Sequence, residues 1–136
     1  MARRADGGAR DAGATTPPTI ALELVVASDP VARAALLLVD GLRALAAESP
    51  RELRLAISGG SALEVVLRAA PLAGPLWSQV ALTWVDERCV PLSDPDSNRG
   101  EAIRRGLPSP ARVVPLLEEG ETPDAALARY ATRHAE

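Results

Sequence analysis

The sequence predicts an α/β domain: a three-layer, Rossmann-like parallel sheet with helices on both faces. Three observations predict it. Apolar runs of strand length alternate with longer stretches of helical periodicity, one run passes through a Gly-Gly turn directly into a helix, and another ends abruptly in three charged residues. Alternation of this kind builds βαβ units on a parallel sheet, because parallel neighbours need a crossover and a helix is the compact way to supply one.

The elements follow in order. After Pro17-Pro18, residues 20–26 are rich in Leu, Val and Ile and read as a first strand. Ser28 and Asp29 precede Pro30, an N-cap followed by proline in the first turn, so a helix is expected over 30–47. Val31, Ala35, Leu38, Leu42 and Leu45 share one face of it, and Leu36, Leu37 and Val39 widen the apolar surface, which predicts a largely buried helix. Residues 53–57 form a second strand, residues 58–61 a Ser-Gly-Gly-Ser turn, and residues 62–70 a helix. A third strand over 80–85 runs into Asp86-Glu87-Arg88. A turn-rich segment leads to a helix near 99–106, Val113 and Val114 suggest a fourth strand, and 123–135 a closing helix.

The 136 residues, 47% hydrophobic and 24% charged, allow one modest domain, expected over 19–136 behind a loose, disordered leader of 18 residues. A net charge of −3 is the wrong sign for general adhesion to nucleic acid or anionic lipid. All fifteen basic residues are Arg, which excludes chemistry that requires lysine. Aromatic residues are too few to stack bases. The most apolar stretch is interrupted by Arg33, Asp40 and Arg43 and is too short to span a bilayer. The single cysteine, Cys89, forms no internal disulfide and points to a reducing, cytoplasmic setting.

Ligands of a parallel α/β sheet gather at the carboxyl ends of its strands, where residues 58–61 and 86–88 should line one edge. Gly59 and Gly60 let backbone amides turn toward a ligand, and the helix behind them offers unpaired N–H groups and a positive dipole end, a setting for phosphate. The same glycines suit any tight strand-to-helix connection. Ser61 and Glu64 also fit a capping box that would compete with an anion. Arg88 can clamp a phosphate or carboxylate with its planar fork, and Asp86 can orient a hydroxyl or water; the alternative is an Asp86–Arg88 pair closing the strand end. Asn98 is either a substrate contact or the N-cap of the following helix, with Glu101 as its partner. Cys89 reads as a buried, inert thiol and His134 as a solvated surface residue. No His, Cys and carboxylate cluster has metal-ligand spacing, so neither a metal nor another cofactor is expected.

Residues 55–61 (Leu-Ala-Ile-Ser-Gly-Gly-Ser), Trp77-Ser78-Gln79-Val80, residues 84–91 (Trp-Val-Asp-Glu-Arg-Cys-Val-Pro) and Asp96-Ser97-Asn98 together resemble the 6-phosphogluconolactonase family, within the glucosamine-6-phosphate isomerase/6-phosphogluconolactonase superfamily. The resemblance covers the amino-terminal half of that family, about half of its fold. It implies hydrolysis of 6-phosphogluconolactone to 6-phosphogluconate in the oxidative pentose phosphate pathway, with Ser58, Gly59, Gly60 and Ser61 as the phosphate loop, Arg88 as a further phosphate cation, Asp86 ordering the site and Asn98 near the substrate. Arg88 and Asn98 resemble the lactonase rather than the deaminase, which usually places Tyr at both points. Two departures are visible. Ala62-Leu63 stands where the family usually has Thr-Pro, and the family's Asp-Gly-His segment, whose histidine is thought to activate water, has no counterpart here. The expectations are therefore a shortened chain that lacks its general base, with alternatives of a non-catalytic sugar-phosphate-binding module, one half of a split enzyme, or a deaminase. An unpaired sheet edge and incompletely covered helices imply self-association or a carboxyl-terminal partner.

Overall fold

A computed structural model of the chain describes residues 23–48 and 52–134. Helix α1 spans Pro30–Glu48, strand β1 Leu53–Ile57, helix α2 Ser61–Ala73, a 3-10 turn Gly74–Gln79, strand β2 Val80–Trp84, helix α3 Asn98–Arg104, strand β3 Arg112–Val114 and helix α4 Pro123–His134. The three strands form a parallel sheet in the order β1-β2-β3. The α/β class with a parallel sheet is the one expected.

Helix α1 begins where Asp29 and Pro30 indicate: the Asp29 carboxylate accepts from the Ala32 amide at 2.9 Å. Its other oxygen accepts from Arg68 at 2.9 Å, tying the start of α1 to α2. Between the two helices the buried side chains are short or branched: Ala35, Val39 and Leu42 on α1, and Leu63, Val66, Ala69, Ala70 and Ala73 on α2. Alanines let the helices approach closely while leucine and valine fill the remaining space. Alternation then assigns the sheet faces. Leu53 and Ile57 of β1 and Val80, Leu82 and Trp84 of β2 join this core. Arg54, Ala56, Ala81 and Thr83 face the other way, toward an open cavity of about 780 Å³ that α4 borders with Tyr130. The Thr83 hydroxyl on that face is buried without a hydrogen-bond partner among the described residues.

Three expectations about the fold need correction or fall outside it. The leader and residues 20–22 lie outside the described residues, and residues 23–26, the rest of the expected first strand, carry no regular structure. Leu24 and Val26 are about nine-tenths exposed, at 89% and 87%; β-favouring side chains make a strand only beside a pairing edge, and among the described residues β1 pairs with β2 alone. Helix α1 is not largely buried, since Leu36, Leu37 and Leu45 stand in solvent. Only the stripe facing α2 and the sheet is covered, because nothing described lies against its other sides. Among the described residues no helix is long and apolar enough to cross a membrane.

Candidate functional site

The two strands that carry the charged and glycine-rich segments end level with each other. Their register pairs Leu53 with Val80 and Ile57 with Trp84, and the Val85 amide continues the ladder by donating to the Ile57 carbonyl at 2.7 Å. Residues 58–61 and 86–88 therefore leave neighbouring strands at one height, on the carboxyl edge where α/β sheets hold ligands.

The two glycines of the first segment are needed for different reasons. Gly60 has φ 63°, a left-handed conformation that side chains resist, and it turns the chain into α2. Gly59 lies outside that region, and its need is space: a Cβ there would sit 2.1 Å from the Asn98 Oδ1. The expected capping box at Ser61 and Glu64 does not form. Gly60 is the N-cap, with no side chain capping the helix, so Glu64 lies one residue beyond the position from which a capping carboxylate reaches back. Glu64 pairs instead with Arg105, the C-cap of α3, and with Arg68 at 3.7 Å. The hydrogen bond from Arg105 holds its carboxyl below the ordinary glutamate range. The first turn of α2 thus has no side chain capping it.

Asp86 and Arg88 are both exposed and form no ion pair with each other, so the structural alternative of an Asp–Arg pair closing the strand end is absent. Arg88 makes no hydrogen bond to residues 58–61 either. Between Asp86 and Arg88, Glu87 organises the segment. Its Oε1 accepts from the Arg88 amide at 2.9 Å and the Asn98 amide at 2.8 Å, and its Oε2 from the Arg99 amide at 2.8 Å and, weakly, the Ser97 hydroxyl at 3.5 Å. Glu87 is the residue that sequence reasoning missed. Its acceptor role spans some ten residues of chain, beyond any local capping pattern.

Asn98 is not the N-cap. Ser97 is, accepting from the Gly100 amide at 2.9 Å, and Asn98 is the first helical residue. The Asn98 side chain is buried, donates to the Asp86 carbonyl at 3.1 Å, and presses its Oδ1 over Gly59. It joins the two loops. Cys89 is exposed rather than buried, because the chain leaves the sheet core at Val85 and residues 86–90 run as an irregular surface segment. His134 is the last residue of α4. A small cavity of about 160 Å³ next to Glu87 is also lined by Ser97, Arg99, Glu118 and Glu119, an acidic wall unsuited to a phosphate ester. Among the described residues no three His, Cys, Asp or Glu side chains are placed to hold a metal ion.

Residues 27–136 match the family described as glucosamine-6-phosphate isomerases/6-phosphogluconolactonase. The chain is 37% identical over 84 residues to the 6-phosphogluconolactonase of Rhizobium meliloti strain 1021, an alignment covering 60% of this chain and 36% of that protein. It is 34% identical over 88 residues to the 6-phosphogluconolactonase of Neisseria meningitidis serogroup A strain Z2491, covering 59% and 38%. A protein of Neisseria gonorrhoeae FA 1090, whose crystal structure bears a provisional 6-phosphogluconolactonase name, superposes with a TM-score of 0.57 at 28% identity, covering 78% of this chain and 50% of the other. The chain thus spans well under half the length of the curated relatives and half of the solved one.

Proposed function

The chain belongs to the glucosamine-6-phosphate isomerase/6-phosphogluconolactonase family, and from that premise we propose that it is the phosphate-holding part of a 6-phosphogluconolactonase. In this reading the amides opening α2, presented by Gly59 and Gly60 between Ser58 and Ser61, receive the doubly negative ester, and the Arg88 guanidinium approaches it from the next strand. Asp86 orders the water or a ring hydroxyl at the lactone. The observation that carries the reading is the level carboxyl edge of β1 and β2, with no side chain capping the first turn of α2 and the Asp86 and Arg88 side chains uncommitted among the described residues.

Hydrolysis adds water across the lactone C–O bond: the water oxygen attacks the carbonyl carbon, a base takes one proton from the water, and the ring oxygen leaves and receives a proton in return. Proton transfer by a placed base contributes about 10²- to 10⁴-fold. These 136 residues contain one histidine, His134, and it is not in an Asp-Gly-His segment. The second reading, a module that binds the sugar phosphate without turning it over, is favoured by that observation for the chain on its own. A carboxyl-terminal segment bearing the histidine would then supply turnover, and the exposed Leu36, Leu37 and Leu45 of α1 give such a partner, or a second copy, apolar surface to cover. We place the protein in the cytoplasm, on its single unpaired cysteine.

Titration of the chain with 6-phosphogluconate tests the binding. Saturable binding is expected, weakened about tenfold or more by Arg88→Ala, as the loss of one charge-assisted contact requires. An Arg88→Ala protein that binds as the wild type does would remove Arg88 from the site, and a wild type that does not bind at all would end the reading.

A further inference from the structure

We propose that Glu87 is the positioning residue of this edge, setting the geometry of the glycine turn through Asn98. The phosphate component of this proposal rests on the function proposed above, and the geometric component does not. Four donors converge on the Glu87 carboxylate: the amides of Arg88, Asn98 and Arg99 at 2.8–2.9 Å and the Ser97 hydroxyl at 3.5 Å. Among the described residues no cation pairs with it, so main-chain amides and the dipole of α3 hold its charge.

This is more than the capping of a helix. Helix α3 has seven residues and already has a local cap in Ser97. What Glu87 adds is a fixed distance between the exit of β2 and the start of α3. It holds the Asn98 amide, which places the Asn98 side chain where its Nδ2 reaches the Asp86 carbonyl at 3.1 Å and its Oδ1 fills the space that Gly59 leaves open. It also holds the amide of Arg88, from which the guanidinium extends. One carboxylate therefore links the Arg88 backbone, through Asn98, to the Gly59-Gly60 turn on the neighbouring strand. Glutamine is a poor replacement, because its amide has one acceptor oxygen and would set an N–H₂ group against N–H donors.

The test uses the full chain, with the ¹H–¹⁵N amide resonances of Gly59 and Gly60 as readout and inorganic phosphate as probe. In Glu87→Gln these two resonances are expected to shift or broaden, and phosphate affinity to fall about tenfold. A role confined to capping α3 would move Gly100 and Ala102 and leave Gly59 and Gly60 in place, and that result overturns the proposal. Unchanged phosphate affinity in Glu87→Gln, alongside saturable wild-type binding, overturns it as well. If the wild type binds no phosphate while the glycine resonances of Glu87→Gln move, the positioning role stands and the phosphate reading falls. Should the glutamine variant not fold, Glu87→Asp, which keeps the charge but shortens the reach by one methylene, answers the same question by the same resonances.

Discussion

Replacing Gly59 by alanine puts a methyl carbon 2.1 Å from Asn98 Oδ1 and 2.7 Å from its Cγ, far inside van der Waals contact. Asn98 cannot yield cheaply. It is buried, its amide is held by Glu87 and its Nδ2 by the Asp86 carbonyl. Forcing a methyl group into packed space costs about 1–3 kcal/mol, and the displaced side-chain hydrogen bond about 1 kcal/mol more. Restricting the unfolded chain returns roughly 0.5 kcal/mol, because Gly59 is not in a left-handed conformation. The expected net loss is therefore roughly 1.5–3.5 kcal/mol for Gly59→Ala alone. In an Asn98→Ala background the obstructing atoms are gone, and the same substitution should change stability by no more than about 0.5 kcal/mol. Urea denaturation of the four proteins of this double-mutant cycle, at constant m-value, measures the coupling. A coupling above about 1 kcal/mol is expected; additivity within about 0.5 kcal/mol would refute the close approach of Asn98 to Gly59.

Gly41, in the interior of α1, has open space where a Cβ would stand, so Gly41→Ala should stabilise the protein by about 0.5–1 kcal/mol in the same denaturation assay. A loss of stability would show that its side of α1 is covered. Glu64 is held below the ordinary glutamate value of 4.5 by Arg105, so the folded state binds its proton less readily than the unfolded chain and the pair stabilises the fold fully only above that pH. Thermal melts of Glu64→Gln should therefore lie below wild type at neutral pH and converge on it as the pH falls through and below 4.5; a gap that stays constant on acidification would show that the ion pair contributes nothing.

Much of this architecture was legible in the chain because its signals are local. The bounds of β1 match the apolar run 53–57, and Asp29-Pro30 marks the start of α1 with its capping carboxylate. The shared height of the two loops follows from a parallel register between strands of five residues each. Other features depend on partners far away in sequence. Leucine occurs on several sides of α1, and only the packing of α2 and the sheet decides that Val39 is buried while Leu36, Leu37 and Leu45 are not. Glu64 has a local capping pattern, but Arg105, forty-one residues on, takes its carboxylate. The packing of Asn98 against Gly59 and its hydrogen bond to Asp86 carry no local signal, because both partners are remote from it in the chain. Glu87 was invisible for the same reason.

The adjacent acids after β2 are unequal in what they hold. Three main-chain amides converge on the Glu87 carboxylate, which commits it to joining the exit of β2 to the start of α3. The Asp86 carboxylate, one residue earlier and exposed, has no such obligation among the described residues. The two neighbouring carboxylates therefore divide their labour: the second keeps the floor of this edge still, while the first is left open to solvent.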